Sequence, residues 1–189
     1  RFYRANLHFK GDLPYLRDIT VYSDEYEQPF LKQATRLEDV EQKMPPVLDG
    51  YHWRTAAHSR TEPGAGGFFI SNGTRLLKTG KVVVKETGKS MTVSVPVQNE
   101  QVLSIQFDEK QMFVTLHGTS TDAVFPLDLA FEWDTRKSNL TRVTAQRVHF
   151  KLDGFDYSVN IDGGHATQTP QGWTLTSDSR FALKLAQRQ

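Results

Sequence analysis

The sequence predicts an all-β fold: an antiparallel β-sandwich or a curled, jelly-roll-like meander with one packed α-helix. Three observations carry this. Apolar side chains fall at every second position through most of the chain after residue 66, short turn-forming clusters separate these runs, and one earlier stretch switches to helical spacing. Alternation of period two puts one strand face in a core and the other in water, the habit of antiparallel sheets.

Two opening strands are expected at Asn6–Phe9 and Asp18–Tyr22. The helix is expected over about 25–44, where Phe30, Ala34, Leu37, Val40 and Met44 recur along one face. Asp24 and Glu27 have capping-box spacing, Pro29 suits a first turn, and Pro45-Pro46 would stop the helix. From about 66 to 186 the chain reads as a hairpin meander. Its inward residues are Met91–Val93–Val95–Val97, Leu103–Ile105–Phe107, Met112–Val114–Leu116, Phe125 through Trp133, and Val148–Phe150–Leu152. Phe155–Tyr157–Val159–Ile161, Trp173–Leu175 and Phe181–Leu183–Leu185 continue the pattern. Asn72-Gly73, Thr87-Gly88, Asn99-Glu100, Asp108–Lys110, Asp162–Gly164 and Ser177–Ser179 supply the turns, too short for parallel crossovers.

A chain of 189 residues with this pattern is expected to form one β-rich domain, residues 1–189. At 38% hydrophobic residues and a net charge of +1, the composition argues against intrinsic disorder. The charge balance leaves no broad basic footprint, so no nucleic-acid partner is expected. No apolar run approaches the roughly 20 residues a transmembrane helix needs, so no such segment is expected. The absence of cysteine removes thiol nucleophiles, thiolate metal sites and disulfides. The first residue is Arg1 rather than methionine, which suggests a processed or excised chain, and long Thr-rich strands without cysteine point to an extracytoplasmic (secreted or periplasmic) location.

Polar chemistry is densest at Tyr51–Glu62. On a strand, His52, Arg54, His58 and Arg60 share a face; arginines there could neutralise a substrate carboxylate while a histidine, or Tyr51 or Tyr157, takes a proton. His52 and His58 would stand roughly 20 Å apart at about 3.3 Å per residue, too far for one shared ion. Pro63–Gly67 leads into a strand pattern rather than a helix, which argues against a phosphate loop. Asp153, Asp156, Asn160, Asp162 and Gly163 suggest calcium, but an EF-hand alignment places Thr169 where the bidentate glutamate belongs. No metal site and no cofactor are expected. The candidate ligand-binding aromatics are Trp53, Trp133, Tyr157 and Trp173, whose parity makes them core residues or walls of a concave groove.

Catalytic signatures such as Gly-x-Ser-x-Gly and His-Glu-x-x-His are missing. The leading expectation is a non-catalytic extracytoplasmic binding or accessory domain for a glycan or cell-envelope component. A polysaccharide lyase or hydrolase built on residues 52–62 is the second reading. The third is a structural or assembly protein that forms oligomers through sheet faces or edges.

Overall fold

The computed structural model describes residues 2–27, 44–49, 68–120, 123–131, 139–170 and 172–185. A hairpin opens the fold: β1 (Tyr3–Lys10) and β2 (Leu13–Val21) turn on Gly11-Asp12, with Gly11 at φ 60°. Both expected opening strands are present and longer than the sequence pattern suggested. β3 (Pro46–Asp49) pairs with β2, and β4 (Phe68–Asn72) folds back through Gly73 onto β5 (Thr74–Arg75). β6 (Val83–Thr87), β7 (Ser90–Val97), β8 (Gln101–Phe107) and β9 (Gln111–Gly118) then run as a meander. After β10 (Val124–Phe125) come β11 (Leu127–Phe131), β12 (Leu140–Thr144), β13 (Arg147–Leu152) and β14 (Phe155–Asp162). β15 (His165–Thr169), β16 (Gly172–Ser177) and β17 (Arg180–Lys184) complete the order.

These strands form two antiparallel sheets. The first runs β1-β2-β4-β11-β16-β15, and the second runs β12-β13-β14-β17-β9-β8-β7-β6. One core lies between them, drawn from both inner faces: Leu16, Ile19, Phe68, Ile70, Leu129 and Trp173 from the first, Val95, Leu103, Val114, Phe150, Val159 and Phe181 from the second. The inward parity expected of the chain after residue 66 is therefore right for every run whose side chains are described, although Met91, Phe107, Phe125 and Phe155 at the strand ends are only half-buried.

The architecture corrects the sequence reading in three places. No helix of any kind occurs among the described residues, so the fold is all-β with two antiparallel sheets rather than a sheet fold with one packed helix. Most of the 25–44 segment lies outside the described residues, and its described ends are not helical. Ser23–Tyr26 is a turn closed by Tyr26 N–H on Ser23 O, and Pro46, read as a stop signal, is the first residue of β3. Secondly, Phe125–Trp133 is not one strand. Pro126, with no N–H to give, separates β10 in the second sheet from β11 in the first. Thirdly, the region after residue 66 is not a simple meander. Gly163-Gly164 and Asp178-Ser179 do not close hairpins; they carry the chain from one sheet to the other. Alternation reports which face a residue occupies and is silent about the neighbouring strand.

Those two crossings pack against each other. Gly163 stands at φ 73°, and a Cβ added there would lie 2.2 Å from the Arg180 carbonyl oxygen. Ser177 Oγ donates to Gly163 O at 2.6 Å, tying one corner to the other. On this side the sandwich is also laced shut: Ala166 N–H of β15 donates to Ala145 O in the β12–β13 turn at 2.8 Å. On the far side, where β1 and β6 are the sheet edges, the Tyr3 hydroxyl bridges the sheets by donating towards Asp108 O (2.8 Å) and Gln111 O (2.9 Å). Among the described residues no helix is long and apolar enough to cross a membrane.

Candidate functional site

The outer face of the second sheet carries a polar site built from several strands. Cross-strand register builds it. Thr144, Arg147, Asn160, Lys184 and Gln111 are successive partners across β12, β13, β14, β17 and β9, forming one rung perpendicular to the strands. The next rung holds Arg142, His149 and Ser158. Side chains two apart on a strand share a face and lie about 7 Å apart, while neighbouring strands lie about 4.8 Å apart. Arg142, Arg147, His149 and Lys184 thus converge because β13 reads Arg-Val-His-Phe-Lys, with its apolar members in the core and its polar members outward.

An open depression of about 820 Å³ lies over these rungs, lined by those four side chains with Lys110, Asn160 and Asp162 among others. Arg147 is held in place: its Nε donates to Asn160 Oδ1 at 2.6 Å, and its carbonyl accepts from Thr144 Oγ1 at 3.0 Å. Lys184 pairs with Asp162. His149 is half-buried, and its pKa is held below the ordinary 6.5, first by desolvation and then by the positive charges of Arg147 and Arg142. The guanidinium groups of Arg142 and Arg147 beside His149 suit the face to a carboxylate- or phosphate-bearing ligand.

The outer face of the first sheet carries a different cluster. Tyr15 stacks on Phe69 at 5.4 Å between centroids, and Arg75 lies over the Phe69 ring at 4.8 Å. With Leu13 these rings make a second, smaller apolar cluster. Beside it, buried Asp18 accepts from Asn6 Nδ2 at 3.0 Å and Arg17 Nε at 2.9 Å. His8, paired across the hairpin with Tyr15, has its pKa lowered by desolvation and then by Arg17, with Asp18 opposing. Burial raises the Tyr15 phenol. This is a packed patch of ordered side chains rather than a depression.

Tyr51, His52, Trp53, Arg54, His58, Arg60 and Trp133 lie outside the described residues. Tyr157 and Trp173 are described, and both sit in the core. Trp173 is 2% exposed and packs edge-on against Phe68 at 4.6 Å. Tyr157 stacks between Phe150 and Phe155, and its hydroxyl donates to the Pro46 carbonyl at 2.6 Å. Both rings are enclosed by the core, one of the two placements their parity allows. The acidic row suspected of holding calcium is the wet face of β14, where Asp156 faces Lys151 and Asp162 faces Lys184. No group of three or more His, Asp or Glu placed to hold a metal occurs among the described residues. Arg142, Arg147 and His149 escaped the sequence reading because they come from two hairpin strands and show no local motif. Their signal was cations repeated on the outward parity of β13.

No family model matches the chain. It is similar to elongation factor P of Sulfurovum sp. (strain NBC37-1), 24% identical over 136 residues, covering 72% of this chain and 61% of that protein. In structure it is similar to the active YidC insertase whose crystal structure resolves the first transmembrane domain. The TM-score is 0.50 at 14% identity, covering 98% of this chain and 37% of the insertase chain. The chain thus spans less than two thirds of either protein's length, and the structural likeness is one of fold.

Proposed function

We propose that this is a non-catalytic extracytoplasmic accessory domain that binds an acidic glycan of the cell envelope on the outer face of its second sheet. The observation that carries this reading is the pair of cationic rungs, Arg142 with His149 and Arg147 with Lys184, over an open depression of about 820 Å³. Arginine forks match carboxylates in two-point geometry, and Asn160 and Thr144 beside them offer neutral hydrogen-bonding partners for sugar hydroxyls. The described site offers no carboxylate pair of the kind glycoside hydrolysis uses, and its histidine is flanked by cations rather than by an orienting acid. An accessory role beside membrane machinery draws support from the likeness in fold to about a third of an insertase chain that also carries a transmembrane domain.

The test is a titration of the purified protein with hexagalacturonate and with neutral cellohexaose, at low and high salt. The acidic oligosaccharide should bind, weaken as salt rises, and lose at least about tenfold affinity in an Arg142→Glu/Arg147→Glu variant. Equal binding of the neutral sugar, or an unchanged charge-reversed variant, would overturn the assignment. Release of new reducing or unsaturated ends would overturn its non-catalytic part.

A further inference from the structure

The sandwich is laced together along one side, while on the other, between the Tyr3 bridge and the β6–β7 hairpin, a groove remains. At the laced side, β15 of the first sheet is hydrogen-bonded to the β12–β13 turn of the second. The groove, of about 630 Å³, runs between the start of β1 and the β6–β7 hairpin, floored by Tyr3, Phe107 and Asp108. Among the described residues β6 pairs only with β7, so alternate N–H and C=O groups of this edge strand point away from the ladder. All five β6 side chains are exposed, including Val83 (46%) and Val84 (54%). Val84 is paired with buried Val93 and therefore faces the inner side. An inner-face valine thus stands in water at this edge.

We infer that β6 is a docking edge for an extended acidic polypeptide segment, which adds as a strand to the second sheet and lays its inner-face side chains into the groove beside β1. Charge selects this occupant over a second copy of the chain. Exposed Lys85 stands on β6, with Lys81 just before it and Lys89, 3.7 Å from Glu109, in the turn just after it, and Glu86 is the one acidic residue of β6. An antiparallel self-pair centred on β6 sets Lys85 against its own copy, and like charges directly opposite oppose pairing. A strand with carboxylates on the outer face and apolar residues on the inner face meets Lys85 with the first and Val84 with the second. About five residues at 3.3 Å each match the length of β6. Main-chain bonds supply attachment here and alternate side chains supply selectivity, as in other strand additions.

The probe is a fluorescein-labelled peptide, acetyl-Glu-Val-Glu-Val-Glu-Val-Glu-amide, titrated by anisotropy into the whole protein. Its Lys-for-Glu counterpart and a form with alternate backbone amides N-methylated serve as comparisons. The acidic peptide should bind at least about tenfold more tightly than either, and should slow amide exchange within β6. Val84→Lys, at an exposed position where melting should move by no more than about 2 °C, should abolish binding. Lys85→Glu should reverse the preference between the acidic and basic peptides. Arg142→Glu/Arg147→Glu should leave peptide binding unchanged, which separates this site from the glycan face. Equal binding of the N-methylated peptide would overturn strand addition, as would no binding at millimolar peptide. A dimer that Val84→Lys dissolves, with no peptide bound, would instead make a second copy the occupant and overturn the proposal.

Discussion

Replacing Gly163 by alanine probes the point where the two sheet crossings meet. Gly163 has φ 73°, a conformation costing an L-residue about 1 kcal/mol or more. The added Cβ would lie 2.2 Å from the Arg180 carbonyl oxygen, where real contacts stay beyond 3.0 Å, so backbone must move. Overpacking of this kind costs about 1–3 kcal/mol. The shift also strains the 2.6 Å bond from Ser177 Oγ to Gly163 O, a partly buried interaction worth about 1 kcal/mol. Together these place Gly163→Ala about 3–5 kcal/mol below the parent, a fall in melting temperature of at least about 6 °C for a chain this size. Gly11→Ala is the internal control. Gly11 has φ 60° in the first hairpin turn but no atom within 4 Å of its would-be Cβ, so only the conformational part applies, about 1 kcal/mol and about 2–4 °C. Urea denaturation of both variants with unchanged slope measures the difference. Equal losses at the two positions would refute the idea that the crossings are in contact at Gly163.

Further outcomes follow from the core and the basic face. Tyr157→Phe leaves the buried Pro46 carbonyl without its hydroxyl donor and should cost about 1–2 kcal/mol in the same denaturation experiment. Trp173→Ala empties the space against Phe68 and should cost about 3–5 kcal/mol, with loss of near-ultraviolet dichroism. The His149 ring should titrate below 6.5 by proton NMR and move up towards that value in Arg142→Gln/Arg147→Gln. Because the folded value is the lower one, the unfolded chain takes the proton more readily. The His149 contribution to stability is therefore complete above 6.5 and declines as pH falls through that value. Acidic-glycan binding should change in the opposite sense, tightening as His149 gains its charge.

How far the fold was legible depends on what each signal encodes. Val95, Leu103, Val159 and Leu183 are buried as their parity requires, because a strand next to one core has a single dry face. The same parity could not show that β17 slots between β14 and β9, or that β15 and β16 belong to the other sheet, since pairing is settled by packing between distant segments. β2 breaks the rule altogether. Leu13 and Tyr15 are buried on one face and Leu16 and Ile19 on the other, with a register shift opposite Asn6/Leu7, so strict alternation is lost and the sequence pattern marked only its second half. The basic face was hidden for a related reason. Arg142 and His149 become neighbours through the register of a hairpin, and Lys184 joins them through a strand far along the chain. An outward row such as Arg147, His149 and Lys151 is visible in the sequence once the inward row is known.

The most direct test of the account is an amide NMR titration of the whole protein with hexagalacturonate. Shifts should concentrate on Arg142, Arg147, His149, Asn160 and Lys184, at the rungs of β12, β13, β14 and β17, and be absent from β6 and from the outer face of β2. Shifts centred anywhere else, or none with saturating ligand, would contradict it.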